Sequence, residues 1–204
     1  MNSITQNFGA HGRLLTALAV ALLGGGFASS AAACLEAGEE TVGEVSDSFC
    51  GQEGWPLFYA GEVDGIKTFF DAESGDPQMR WDSATCHQCV GGVDTSFSDG
   101  YSNTYEVLWD YGDSDGLEGF DSARYCAEKG EGWFLPAIEQ LELVWENRDR
   151  IDYSQVGWSD SAMPYWSSTV DKDTGQVLHV RFMDGQRAMF FTHFSRLVRC
   201  ARAE

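Results

Sequence analysis

The sequence predicts one α+β domain with two short helices and a C-terminal antiparallel meander, and three observations carry that prediction. Behind Pro136, residues Ile138, Leu141, Val144 and Trp145 recur at helical spacing and leave Glu139, Glu142 and Glu146 for water. After Pro164 the period changes to strict alternation, with Leu178, Val180 and Phe182 on one side and His179 and Arg181 on the other. Turn signals such as Asp64-Gly65 and Asp184-Gly185 then join short apolar runs into hairpins. Helices followed by a run of strands define the α+β class.

Taken in order, residues 1–33 hold no acid, one arginine and a short apolar run, Leu14 to Leu23, that ends in Ala31-Ala32-Ala33. That is the form of a secretory signal. The run falls short of the roughly 20 apolar residues of a membrane span. Cleavage after Ala33 leaves 171 of the 204 residues, with Cys34 first. A lipid anchor at Cys34 stays open, although Ala31 stands where a lipobox usually has leucine. Residues 34–56 read as an acidic N-terminal arm, and 57–204 as the domain. In that domain Leu57 to Ala60 and Ile66 to Phe70 flank the turn as a hairpin. Tyr105 to Trp109 reads as a strand. Asp121 is placed to cap a helix from Ser122 to Lys129, which Gly130 ends. Pro136 suits the first position of the second helix, which ends near Asn147. The meander follows: Tyr165 to Thr169, Leu178 to Phe182, Ala188 to Phe191, and Arg196 to Cys200 as the last strand.

The formal net charge is −19, from 13 basic and 32 acidic side chains, and removal of the signal takes it to about −20. Such a surface repels nucleic acid and anionic membranes. It suits cations, calcium among them, and it also serves solubility alone. Asp110, Asp113 and Asp115 are the candidate metal ligands, yet the loop fails the EF-hand pattern: with Gly116 sixth, Tyr111 stands first and Ser122 last. No other cofactor is expected.

Six cysteines follow the signal, and an even count in an exported chain implies disulfides. Cys34 with Cys50 is a plausible local staple. Cys86-His87-Gln88-Cys89 is a C-x-x-C without the βαβ context of a redox pair, without a second ligand pair for zinc, and with Val90 where haem attachment needs histidine. The simplest reading is a structural disulfide in a loop or one that links to the N-terminal arm, and spacing alone does not choose the pairing of Cys34, Cys50, Cys86 and Cys89.

The ordered landmarks resemble the Lcl C-terminal domain family. They are Asp99-Gly100 with Asn103-Thr104, Ala123 to Cys126, Gly132-Trp133-Phe134-Leu135-Pro136 with Leu141, Tyr165 to Thr169, Phe182 with Gly185, and Val198 to Arg202. Asp71 through Ser74-Gly75 to Met79 and Trp81 resembles the family's opening motif with extra residues. The likeness spans roughly residues 64–202. Family members often write a capping box after the proline, whereas Ala137 and Gln140 stand at those positions here. The resemblance implies a compact fold related to C-type lectin-like and formylglycine-generating-enzyme-like domains. It further implies export to the bacterial surface or periplasm, binding rather than catalysis, and a disulfide from Cys126 to Cys200. The adhesin that names the family recognises sulfated polysaccharide, a poor match for so acidic a chain.

The expected function is therefore that of an exported surface, periplasmic or secreted binding domain without catalytic activity, whose ligand is an extracellular or envelope glycan or protein. Its candidate anchors lie within 153–193: Trp158, Tyr165, His179, Arg181, Arg187, Phe191 and His193. Trp133, Trp145, Trp166 and Phe182 are read as core. Two alternatives stand beside it. One is an exported thiol-disulfide redox protein using Cys86 and Cys89, and the other is a structural subunit of an envelope complex. No Ser-His-Asp or H-E-x-x-H arrangement is present.

Overall fold

The computed structural model describes residues 40–46, 56–72, 75–83, 92–111, 119–160 and 162–203, all within one compact unit. Residues 1–33, expected as a signal, lie outside the described residues, as do Cys34, Cys50, Cys86, Cys89, Asp113 and Asp115.

The first hairpin forms as the turn signal requires. Strands β2 (Leu57–Val63) and β3 (Ile66–Asp71) pair antiparallel from Leu57↔Asp71 to Val63↔Ile66. Asp64 and Gly65 both take positive φ, 51° and 79°, which matches the twist of the flanking strands. Leu57, Tyr59 and Phe69 face one apolar cluster, while Phe58, Ala60 and Phe70 face a second. Burial on both faces explains why Leu57 to Ala60 reads as a continuous apolar run rather than an alternating one. Within the N-terminal arm, β1 (Val45–Ser46) adds to the edge of β2.

Between the hairpin and the helices, β4 (Gln78–Arg80) forms a short strand. The segment expected as a strand, Tyr105 to Trp109, is helical instead. It belongs to α1 (Gly100–Ser102), a π-helical turn (Asn103–Val107) and α2 (Leu108–Tyr111) in succession. Asp99 accepts from the Ser102 N–H at 2.9 Å and from its hydroxyl at 2.6 Å. Asn103 is buried, accepts from Ser96 N and donates to Ser96 O and Ser168 Oγ. These bonds hold the turn against the strand preference of Tyr105 and Val107.

Helix α3 (Asp121–Ala127) starts one residue earlier than expected. Asp121 is not its cap but lies in its first turn, with Arg124 donating to it at 3.3 Å. Strand β5 (Trp133–Phe134) leads to α4 (Ile138–Glu146). Pro136 therefore precedes the helix rather than opening it. Thr169 Oγ1 caps the Ile138 N–H at 3.0 Å, and Gln140 Oε1 reaches back to Ala137 N at 2.9 Å and to Gly100 N at 3.0 Å. Alanine at the cap thus loses only its own half of the capping box. Ile138, Leu141, Leu143 and Val144 are buried with Gln140, and Trp145 is half-buried over Gly185.

The meander is β6 (Tyr165–Asp171), β7 (Gln176–Arg181) and β8 (Gln186–Phe190), paired antiparallel. Gly185 takes φ +70° and sits so close to Trp145 that a Cβ would fall 2.2 Å from the indole nitrogen. The expected last strand, Arg196 to Cys200, divides in two. Strand β9 (Ser195–Leu197) pairs with β4 and, in parallel, with β6, while β10 (Ala201–Ala203) crosses to the other sheet. The sheet orders are β1-β2-β3-β10-β5 and β4-β9-β6-β7-β8. Between them, buried Ser167, Ser168 and Thr169 bond to β7, the π turn and α4.

Cys126 on α3 is bonded to Cys200, with Cα atoms 5.2 Å apart, which is the pairing the family resemblance implies.

Candidate functional site

Alternation along the meander gives its sheet two faces. Tyr165, Leu178, Val180 and Leu197 face the cluster that contains α4. Trp166, His179, Arg181, Ala188, Phe190 and Arg196 belong to the other face, by the pairs Trp166↔His179, His179↔Ala188, Arg181↔Gln186 and Val177↔Phe190. There a cavity of about 300 Å³ opens, lined by His179, Arg181, Gln186, Ala188, Phe190 and Arg196, with Ala162 and Pro164 at its margin.

His179 is only 7 % exposed, and its Nδ1 is buried without a hydrogen-bond partner. Burial, then Arg196 and Arg181, push its pKa down to about 4. The imidazole is therefore neutral at pH 7. Arg181 donates from Nε to Asp184 at 2.9 Å and also bonds Gln186. Arg196 lies over the Phe190 ring at 4.5 Å and over Trp166 at 5.7 Å, and one of its terminal nitrogens donates to Ser195 O. Its Nε is buried and meets no hydrogen-bond partner. Burial lowers its pKa, yet a guanidinium remains charged at physiological pH.

Of the seven expected anchors, the structure brings His179 and Arg181 together and sends the others elsewhere. Trp158 and Tyr165, 5 % and 0 % exposed, are core residues stacked at 5.0 Å. The Tyr165 hydroxyl donates to Asp76 and accepts from Ser159 N at 3.1 Å. Burial, reinforced by Asp76, raises its pKa far above the ordinary phenol value. Asp76 is ion-paired with buried Arg199, which also donates to the carbonyls of Asp71, Val156 and Gly157 and lies over Trp158. Arg187 is on the α4 side of β8, where its Nε donates to Glu142 at 2.7 Å. Phe191 is 46 % exposed just past β8, and His193 stacks on it at 6.0 Å. Neither lines the cavity.

Arg196, Phe190 and Gln186 escaped the sequence reading. The signal was present: alternation in Arg196-Leu197 places Arg196 opposite buried Leu197, and the Asp184-Gly185 turn sets Gln186 across from Arg181.

A larger cavity, about 490 Å³, lies between the first hairpin and α1. Two of its three charged side chains are already engaged: Lys67 pairs with Glu40 at 2.9 Å, and Asp99 caps α1, while Glu62 is the third. Asp110 lies on α2, and among the described residues no group of three or more His, Cys, Asp or Glu side chains could hold a metal ion. Among the same residues no helix is long and apolar enough to cross a membrane. No protein-family model and no curated protein matches the chain.

Proposed function

We propose that this chain is an exported bacterial binding domain of the Lcl C-terminal type, non-catalytic, which takes its ligand at the cavity lined by His179, Arg181 and Arg196. The observation that carries this reading is the convergence of three basic side chains and an aromatic ring on one concave surface of a chain with net charge −19. Concave sites with a few placed polar groups on an apolar wall are the usual form of ligand sites. Here the polar groups stand on paired strands, which keep them in register. The signal-like N-terminus and the Cys126–Cys200 bond fit an oxidising compartment outside the cytoplasm.

The test is binding of the purified chain to a mixed array of glycans and matrix proteins, in calcium and in chelator. Binding is expected, and it should survive Arg187→Ala and fail in Ala188→Leu, which fills the cavity from β8. Silence across the array would sink the recognition reading in favour of an assembly subunit. Loss of binding in chelator would return attention to Asp110 and its acidic loop.

A further inference from the structure

Resting on the binding reading, we infer that the cavity recognises a single carboxylate carried on a small apolar or aromatic body. Charge balance selects the anion. Arg181 is already neutralised by Asp184, and His179 is uncharged at neutral pH, so Arg196 supplies about one net positive charge to the wall. No ion pair to an acid is formed by Arg196 among the described residues. A monoanion matches that charge. A polyanion would leave most of its charge facing a chain of net charge −19.

Hydrogen-bonding capacity selects the carboxylate. Two buried nitrogens on this face, Arg196 Nε and His179 Nδ1, have no partner. Arg196 Nε–H is a donor, and the imidazole donates from whichever nitrogen carries the proton. A carboxylate in the cavity meets the Arg196 guanidinium with a strong, charge-assisted bond, and it reaches the buried Nε and Nδ1 only as the atoms covering them shift. A cation could answer neither Arg196 nor the field of two arginines around His179. The donors are also held before any ligand arrives. Arg196 is stacked on Phe190 and Trp166, and His179 meets the same two rings edge-on at 6.1 and 5.8 Å. Preorganised donors save a ligand the cost of ordering them.

The remainder of the wall describes the ligand's body. Phe190, Ala188, Pro164 and Ala162 are apolar, and about 300 Å³ is the lower end of the range for small-molecule sites. A ring bearing one carboxylate fits this volume and chemistry.

The charged groups facing His179 among the described residues are Arg181 from its own strand, with Asp184 held on it, and Arg196 from β9. Strands β6 and β8 present Trp166 and Ala188 across from it. A bound carboxylate would therefore be the nearest unbalanced negative charge and would draw a proton onto the imidazole.

The experiment is titration of the purified chain with benzoate, with benzamide as the uncharged isostere and with a heparin-derived oligosaccharide as the sulfated polyanion, read by calorimetry and by the His179 imidazole resonances. Benzoate should saturate and bind at least tenfold more tightly than benzamide, and it should raise the His179 titration midpoint by at least one pH unit. Arg196→Gln should weaken benzoate at least tenfold, with Arg196→Lys intermediate. Ala188→Leu should abolish benzoate binding and serves as the check should the arginine variants fail to fold. Equal binding of benzoate and benzamide, an unmoved His179, or undiminished affinity in the folded Arg196→Gln chain would each overturn the inference. So would preference for the sulfated oligosaccharide at this cavity. An array ligand lost in Ala188→Leu, with benzoate silent, would leave the binding reading standing and remove the carboxylate alone.

Discussion

Each side of the C-terminal sheet holds an arginine, three residues apart in the chain, and the two are treated in opposite ways. On the α4 side Arg199 is 3 % exposed, paired with Asp76, bonded to three carbonyls and laid over Trp158. On the other side Arg196 is half-buried on aromatic rings, with no acid paired to it among the described residues and a buried Nε that bonds nothing. A closed polar network stabilises one geometry and offers nothing to a newcomer. An open one is less stable by itself and keeps bonding capacity for a ligand. Residue type does not distinguish a fastener from a site; completeness of hydrogen bonding does.

The largest effect should come from breaking the closed side. Arg199→Met leaves Asp76 buried beside Tyr165 without its cation, and a buried pair broken on one side costs about 3–5 kcal/mol. Urea unfolding measures this, and a loss below 1 kcal/mol would erase the contrast with Arg196. Next is the bond anchored one residue further on. Reducing Cys126–Cys200, separated by 74 residues, should cost roughly 4 kcal/mol on chain-entropy grounds. The thermal midpoint with and without reductant reads that loss.

The open side should report through pH. His179 titrates near 4 in the folded chain, below the ordinary value of about 6.5. Above pH 6.5 both states are neutral there and the group contributes nothing. As pH falls from 6.5 toward 4 the unfolded chain gains a proton that the folded chain refuses, and stability drops by about 3 kcal/mol. His179→Gln should remove that share of the acid loss when unfolding is compared at pH 7.5 and 4; an unchanged difference would mean that His179 is not held neutral. The smallest effect belongs to Arg187→Ala, whose partner Glu142 is partly exposed. Less than about 1 kcal/mol is expected from denaturant midpoints.

The elements visible in the sequence were those decided locally. Asp64-Gly65 could only be a tight turn, and the alternation of Leu178 and Val180 with His179 and Arg181 announced β7, although Val177 to Val180 are buried on both faces rather than on one. What escaped was decided at a distance. Tyr105 and Val107 prefer strands, but Asp99 and buried Asn103, bonded to Ser168 across the fold, impose a helix. Trp158 and Tyr165 have the composition of binding anchors and the burial of core, and burial has no local signature. Alternation set the face of Arg196, but that face joined the site because β9 runs beside β6, a parallel neighbour that turn and period signals do not announce.

The place of β10 in the first sheet has a consequence for biosynthesis. This strand is inserted between β3 and β5, with Ala201 opposite both Phe70 and Phe134. A chain that emerges N-terminus first from a ribosome holds that slot vacant until β10 arrives. Non-local closure of this kind makes folding slow and leaves strand edges unpaired meanwhile. The first sheet should thus stay open while the earlier strands are made, and lock only once β10 enters its slot.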